Sequence, residues 1–298
     1  MITIDPSKES TAKVHAILLS SVAPRPIAFA STVDKNGIVN LSPFSFFNNF
    51  GARPPILIFS PSRRVRDNTT KHTLENIRET NEVVINMVNY AMVQQTSLAS
   101  TEFPRGVNEF EKAGFTMEPS LVVKPPRVKE SPVQFECKVL QIIETGTEGG
   151  AGNLVICEAV MIHVSEDILD EEGRIDQHKI DLVARMGGNW YCRATGEALF
   201  EVEKPISRLG IGVDQIPERI RYSKVLSGND FGKLGNVESL PTREDVNSVS
   251  DTDEVKNIVS SFENKEELRT QLHELAKSFL EENKINDAWR VLLYAETL

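Results

Sequence analysis

Four cations crowd into the stretch Ser60–Thr73, SPSRRVRDNTTKHT: Arg63, Arg64, Arg66 and Lys71 stand among the hydroxyls of Ser62, Thr69, Thr70 and Thr73. A phosphate group asks for that mixture. Guanidinium and ammonium groups supply charge-assisted hydrogen bonds, and hydroxyls supply further donors. A helix beginning near Thr73 would add unpaired backbone N–H groups to the same place. A solvated basic loop has the same composition, since charge runs usually face water.

The segment NLSPFSFFNNF, Asn40–Phe50, raises a second possibility. Phe44, Phe46, Phe47 and Phe50 alternate with Ser42, Ser45, Asn48 and Asn49. Rings can cover the faces of a flat ligand while short polar side chains and backbone groups satisfy its edge. Core phenylalanines would give the same letters. With the phosphate-type cluster a short way downstream, the pair points to a phosphorylated planar ligand. A third stretch, RMGGNWY (Arg185–Tyr191), joins a charge and two rings to adjacent glycines that permit close backbone approach. A turn with packed aromatics reads equally well there.

Other chemistry finds little support. His15, His72, His163, His178 and His273 share no i, i+4 or i, i+2 spacing, so a metal site is not indicated. His163 reads as a structural histidine in an apolar strand, and Cys137 in FECKV as a core thiol. No GxSxG elbow, GxGxxG fingerprint or GxxxxGK[ST] loop is present.

The elements that must carry these residues are mostly strands. RPIAFASTV (Arg25–Val33) precedes Asn36-Gly37, a hairpin signal that calls for positive φ at both central positions. PPILIFSPS (Pro54–Ser62) reads as a buried strand, His72–Asn81 as a helix, Glu82–Asn89 as a strand, and AMVQQTSLAS as helical. Val133–Gly146 and Asn153–Glu166 read as an antiparallel hairpin around TEGGAG. Strands joined in this way favour an antiparallel barrel over a parallel doubly wound sheet. Composition then shifts. Glu238–Glu254 is polar and acidic and reads as a linker. Beyond it, Val255, Ile258, Val259 and Phe262, then Leu268, Leu272, Leu275 and Phe279, fall at helical spacing. Asn286–Leu298 gives a third helix, capped by Asn283 or Asn286.

With 298 residues the chain can bury a sizeable core. Its net charge of −10 disfavours nonspecific binding to nucleic acid or anionic lipid, though not a local basic pocket. Three scattered cysteines, Cys137, Cys157 and Cys192, fit a reducing cytoplasm better than a disulfide framework. No signal peptide and no apolar run of membrane-spanning length is visible, so the expected location is the cytoplasm.

The ordered set SVAPRPIAFASTVDKNGIVNLSPFSFFNNFGARPPILIFSP, TKHTLENI, EFPRGVNEFEKAGFT, VQFECKV, VICEAVMIHV and RMGGNWYCR resembles the flavin reductase-like, FMN-binding split-barrel family over residues 10–210. LGIGVDQIPERIRYSKVLSGNDFGKLGNVE extends the likeness. The resemblance implies a mainly β fold: a six-stranded antiparallel split β-barrel with short helices, followed here by a C-terminal helical extension. The corresponding divisions are 1–240 for the FMN-binding domain, 241–253 for the acidic linker and 254–298 for the extension. It further implies a homodimer, noncovalent FMN near the subunit interface, and NAD(P)H-dependent flavin reduction, with NADH or NADPH as donor and a monooxygenase or other electron acceptor as partner. Carried over by position, it places Arg25, Ser31, Thr32, Ser42, Ser45, Phe46, Phe47 and Asn48 along the flavin ring and ribityl chain. Ser60, Ser62, Arg64, Lys71 and Thr73 fall around the phosphate, with Arg185 and Tyr191 as further neighbours. Relatives often carry Asp where this chain has His72. Hydride transfer to a flavin needs no obligatory side-chain acid or base, which agrees with the lack of a catalytic constellation. Two alternatives remain open: a carrier that holds FMN with little reductase activity, and a non-catalytic barrel whose helical tail binds a partner.

Overall fold

Strands β1 (Ala28–Val33), β2 (Val39–Phe44), β3 (Phe47–Ala52), β4 (Pro55–Phe59), β5 (Glu82–Asn86), β6 (Val133–Glu144) and β7 (Asn153–Val164) form one antiparallel sheet in the order β2-β1-β5-β6-β7-β4-β3. The computed structural model describes residues 1–205 and 209–298. The part of the expected 10–210 region at residues 206–208 lies outside the described residues. The chain divides into two units, Met1–Phe200 and Glu201–Leu298.

Seven strands stand where six were expected. The Asn40–Phe50 ribbon is broken at Ser45-Phe46 into β2 and β3, which occupy opposite edges of the sheet. Because only two residues join those edges, the sheet must curl until they approach at this corner. The same break turns the serine-and-ring segment from one edge to the other.

Every residue of β1 is buried, because both faces of the sheet are covered there. Ala28 and Ala30 pack with Phe44, Phe59 and helix α1 residues Leu74 and Ile77 (α1, His72–Thr80). Phe29 and Leu41 face the opposite cluster of Met92, Phe110 and Val128. A strand covered on both faces reads as a continuous apolar run rather than an alternating one. The β1–β2 turn departs from expectation in one respect: among its residues Gly37 alone has positive φ, +86°. The Gly37 N–H closes a four-residue turn on the Asp34 carbonyl, so Asn36 need not be left-handed. The Ala91–Ser100 helix is also shorter than its sequence suggests, running Val93–Leu98 behind a 3-10 turn.

The second unit is helical. Helix Lys265–Glu281 buries Leu268, Leu272, Ala276 and Leu280 against Trp289 and Leu292 of helix Ile285–Thr297. Asn264 caps the first of these. Lys284, not either asparagine, occupies the N-cap of the second, and Asn283 is left-handed instead. The expected acidic linker is corrected too. Thr242 and Asp245 form a capping box for helix Arg243–Ser248, and Val246 and Val249 are buried. Ile216, Ile220, Leu226 and Leu234 belong to this helical core, so the unit begins at Glu201 rather than after 240. The acidic and hydroxyl residues that resemble a linker are serving as helix caps. Among the described residues, no helix is long and apolar enough to cross a membrane.

Candidate functional site

Helix α1 starts at His72 with Lys71 as its N-cap, and no side chain caps it. The N-terminal backbone donors of a helix left in this way favour an anion. A shallow open cleft lies there, lined by Asn40, Ser42, Arg64, Lys71, His72 and Thr73 together with Ser100–Phe103 and Glu109. Four of the residues expected at the site, Ser42, Arg64, Lys71 and Thr73, are therefore brought together. Asn40 and Ser42 share a face of β2, and the Asn40 amide donates to Thr73 Oγ1 at 2.9 Å, which fixes the ribbon to the start of α1.

Glu102 sits among the cations. Its carboxylate accepts from Arg64 Nε at 2.9 Å and from Arg66 Nη2 at 2.7 Å, and Lys71 Nζ is 3.6 Å away. The bonds from Arg66 and then Arg64 hold its carboxyl down to about 2. Burial lowers the Lys71 ammonium from its ordinary range, and neighbouring Arg64 adds to the shift. Arg64 also donates to Thr69 Oγ1 at 2.9 Å and to the Thr70 carbonyl, which ties the cationic loop to itself. Glu109 is buried, accepts the Leu41 N–H at 2.9 Å, and is raised by that burial. Asn40, His72, Ser100, Thr101, Glu102 and Glu109 are absent from the sequence-based set. The last four lie in segments with no local signal for a site, and only the fold brings them to the Ser60–Thr73 loop.

The tip of the β6–β7 hairpin braces that loop. Asn153 donates its N–H to Ser60 Oγ at 3.0 Å and its amide to the Pro61 carbonyl at 2.9 Å. Arg63 N–H reaches the Ala151 carbonyl, and Gly150 N–H returns to the Arg63 carbonyl. A Cβ on Gly149 would stand 3.0 Å from the Arg64 carbonyl oxygen, so glycine permits this approach. Ser60 thus holds the loop rather than facing the cleft, and Ser62 is half-buried beside it.

A second group of expected residues meets elsewhere. Arg25 is buried, and its guanidinium donates to the carbonyls of Leu19, Val22 (2.6 Å) and Met186 (2.9 Å), with Ser45 Oγ at 3.5 Å. Its backbone pairs in both directions with Arg185. Arg185 lies over the Tyr191 ring, 4.5 Å from its centroid, and donates to the Gly188 carbonyl at 2.7 Å. Phe46 is exposed and meets the His15 ring edge-on at 6.3 Å between centroids. Ser42 and Ser45 are about 10 Å apart along extended backbone at roughly 3.3 Å per residue, so one ribbon runs from the cleft to this corner.

The remaining expected residues are engaged in the fold. Ser31 is buried and donates to the Pro126 carbonyl. Thr32 is buried and accepts from Asn76 at 3.1 Å. Phe47 packs on the Phe44–Phe59 core, and Asn48 is exposed. Among set-aside residues, His163 pairs with buried Glu136 at 2.7 Å, and Cys137 is a buried core thiol.

The family model of the flavin reductase like domain matches residues 19–180. A protein of Aquifex aeolicus, described only as uncharacterized, is 41% identical over 189 residues, spanning 63% of this chain and 94% of that one. Among solved structures, nitrilotriacetate monooxygenase component B from Bacillus cereus superposes with a TM-score of 0.63 and 30% identity, over 68% of this chain and 98% of that one. A Shewanella frigidimarina structure described as having a split barrel domain gives 0.57 and 27%, over 68% and 100%.

Proposed function

The chain belongs to the flavin reductase like domain family, and from that premise we propose that it is an FMN-binding NAD(P)H:flavin oxidoreductase. One observation carries the choice of FMN: Arg64, Lys71, Thr73 and Ser42 converge at the uncapped start of α1, and Ser42 lies on the ribbon that leads to Ser45 and Phe46. The donor set fits a single phosphate monoester, with two cations, two hydroxyls and helix N–H groups around one cleft. Arg64 and Lys71 would hold the phosphate, while Asn40 and Thr73 keep the ribbon in register with it. Ser45 and Phe46 would meet the ring system farther along. Bound flavin would supply the hydride acceptor, and a reduced nicotinamide the hydride. The protein's contribution is to orient the two and shape their electrostatics.

Reduced flavin would pass to a monooxygenase or another acceptor, by analogy with the Bacillus cereus neighbour, which is itself a monooxygenase component. A homodimer completes the reading. Leu140, Val160, Ile162 and Val164 of the β6–β7 hairpin are exposed, and a second copy would cover them. Light scattering should then give twice the monomer mass. Three free thiols agree with a reducing cytoplasm.

The visible spectrum of the purified protein tests the proposal. With FMN added, a flavin band perturbed by binding should bleach on anaerobic addition of NADH or NADPH. Retained colour with neither nucleotide oxidised would make the protein an FMN carrier. No uptake of FMN would leave a barrel with some other role.

A further inference from the structure

The carboxylate of Glu102 occupies the place where the cleft's cations converge. Its Oε1 takes Arg64 and faces Lys71, and its Oε2 takes Arg66. Asp67 accepts a further bond from Arg66 at 3.1 Å and neutralises part of that cation. Glu102 comes from the loop Ser100–Phe103, across the cleft from the arginine loop, and its side chain is 39% exposed. It is not a buried structural ion pair.

We propose that Glu102 is an internal counter-anion that fills the phosphate seat and yields it to a phosphate monoester, so that flavin bound here exchanges instead of staying resident. This rests on the FMN reading and adds to it a control over release. The exchange is favourable for a defined class of ligand. A carboxylate offers one negative charge and two oxygens, whereas a phosphate monoester offers about −1.5 to −2 and three acceptor oxygens. Exposed ion pairs of this kind are weak individually, so the seat opens at small cost. When the ligand leaves, the tethered carboxylate returns to the same cations, at the high effective concentration that tethering gives. Each departure is thereby easier than from a seat whose cations would be left unpaired. An enzyme that hands reduced flavin to a partner needs that property.

The test compares wild type with Glu102→Gln, which keeps the side chain's length but loses its charge, and with Glu102→Ala, which empties the seat. Circular dichroism verifies that each variant is folded. Dissociation constants for FMN and riboflavin come from flavin fluorescence, off-rates from stopped flow, and binding of inorganic phosphate from calorimetry. Both variants should bind FMN and inorganic phosphate more tightly by up to about fivefold, the upper end for releasing an exposed ion pair. FMN should leave correspondingly more slowly, with riboflavin changed less than about twofold, the scale of an exposed surface contact. Unchanged or weaker phosphate and FMN binding in both variants would overturn the proposal. The two readings fail separately. If neither protein binds FMN yet the variants gain inorganic phosphate, the seat stands and the flavin assignment falls. If wild type binds FMN and the variants bind it no better, the flavin assignment stands and the role of Glu102 falls.

Discussion

Arg25 reaches Ser45 at one end of the Asn40–Phe50 ribbon, and Arg64 lines the same cleft as Ser42 near the other, so each arginine raises the question of whether a ligand is meant. Their surroundings answer differently. The Arg25 guanidinium is buried and shared among three backbone carbonyls and Ser45. Those partners cannot leave without unfolding the segments that carry them. Arg64 shares one carboxylate with Arg66 and Lys71 at the mouth of a cleft, and that carboxylate is on a side chain that can swing aside. A cation saturated by backbone is part of the frame, and a cation held by an exchangeable anion is part of a site.

Arg25→Ala should break the comparison most forcefully. A hydrogen bond to a charged group is worth about 1.5–3 kcal/mol and these carbonyls are part-buried, so urea denaturation of the sheet unit should lose roughly 3 kcal/mol. Loss of FMN binding with unchanged stability would reverse the two roles. Lys71→Ala should do the opposite. Stability should fall by less than about 1 kcal/mol, while FMN binding weakens roughly 10- to 100-fold, the range for hydrogen bonds to charged groups. Added salt should shrink the wild-type advantage, because exposed charges are screened.

The helical unit offers a third kind of buried donor. His273 is buried, its Nδ1 lies 2.8 Å from Ser223 Oγ, and its Nε2 has no partner among the described residues. Burial, followed by neighbouring Arg269, pushes its pKa down to about 4. The unfolded chain therefore takes up a proton near pH 6.5 while the folded unit does not. Stability is full above that pH and falls as pH drops toward 4, by on the order of 3 kcal/mol. His273→Gln should flatten that part of the profile in thermal melts of the helical unit. A smaller effect is expected at the hairpin tip. Gly149→Ala forces a Cβ against the Arg64 carbonyl. It should shift the cationic loop and weaken FMN binding a few-fold, roughly 1 kcal/mol, with little change in riboflavin binding.

Much of this architecture is legible in the residues. The long hairpin, the buried β4 run and the leucine spacing of Lys265–Glu281 all appear where periodicity places them. Arg64, Lys71 and Thr73 of the cation-hydroxyl loop line the cleft at the start of α1. What is not legible depends on contacts remote in sequence. The capping box at Thr242 and Asp245 looks like an acidic linker until Val246 is buried and Val249 joins the helical core. The carbonyls that saturate Arg25 come from Leu19, Val22 and Met186, and nothing in PRPI announces them. Ser31, Thr32 and Ser60 carry hydroxyls that could serve a ligand, yet each is already bonded inside the fold. Glu102 is one acid in SLASTEF, and only the pairing of two loops gives it a place among three cations.

Calorimetric titration of the wild-type protein with FMN and with riboflavin, repeated on Lys71→Ala, addresses the phosphate seat most directly. The account predicts that FMN binds at least about tenfold more tightly than riboflavin, as a charge-assisted phosphate contact implies, and that Lys71→Ala removes most of that preference. Equal affinities in the wild type, or a preference that survives the loss of Lys71 intact, would contradict it.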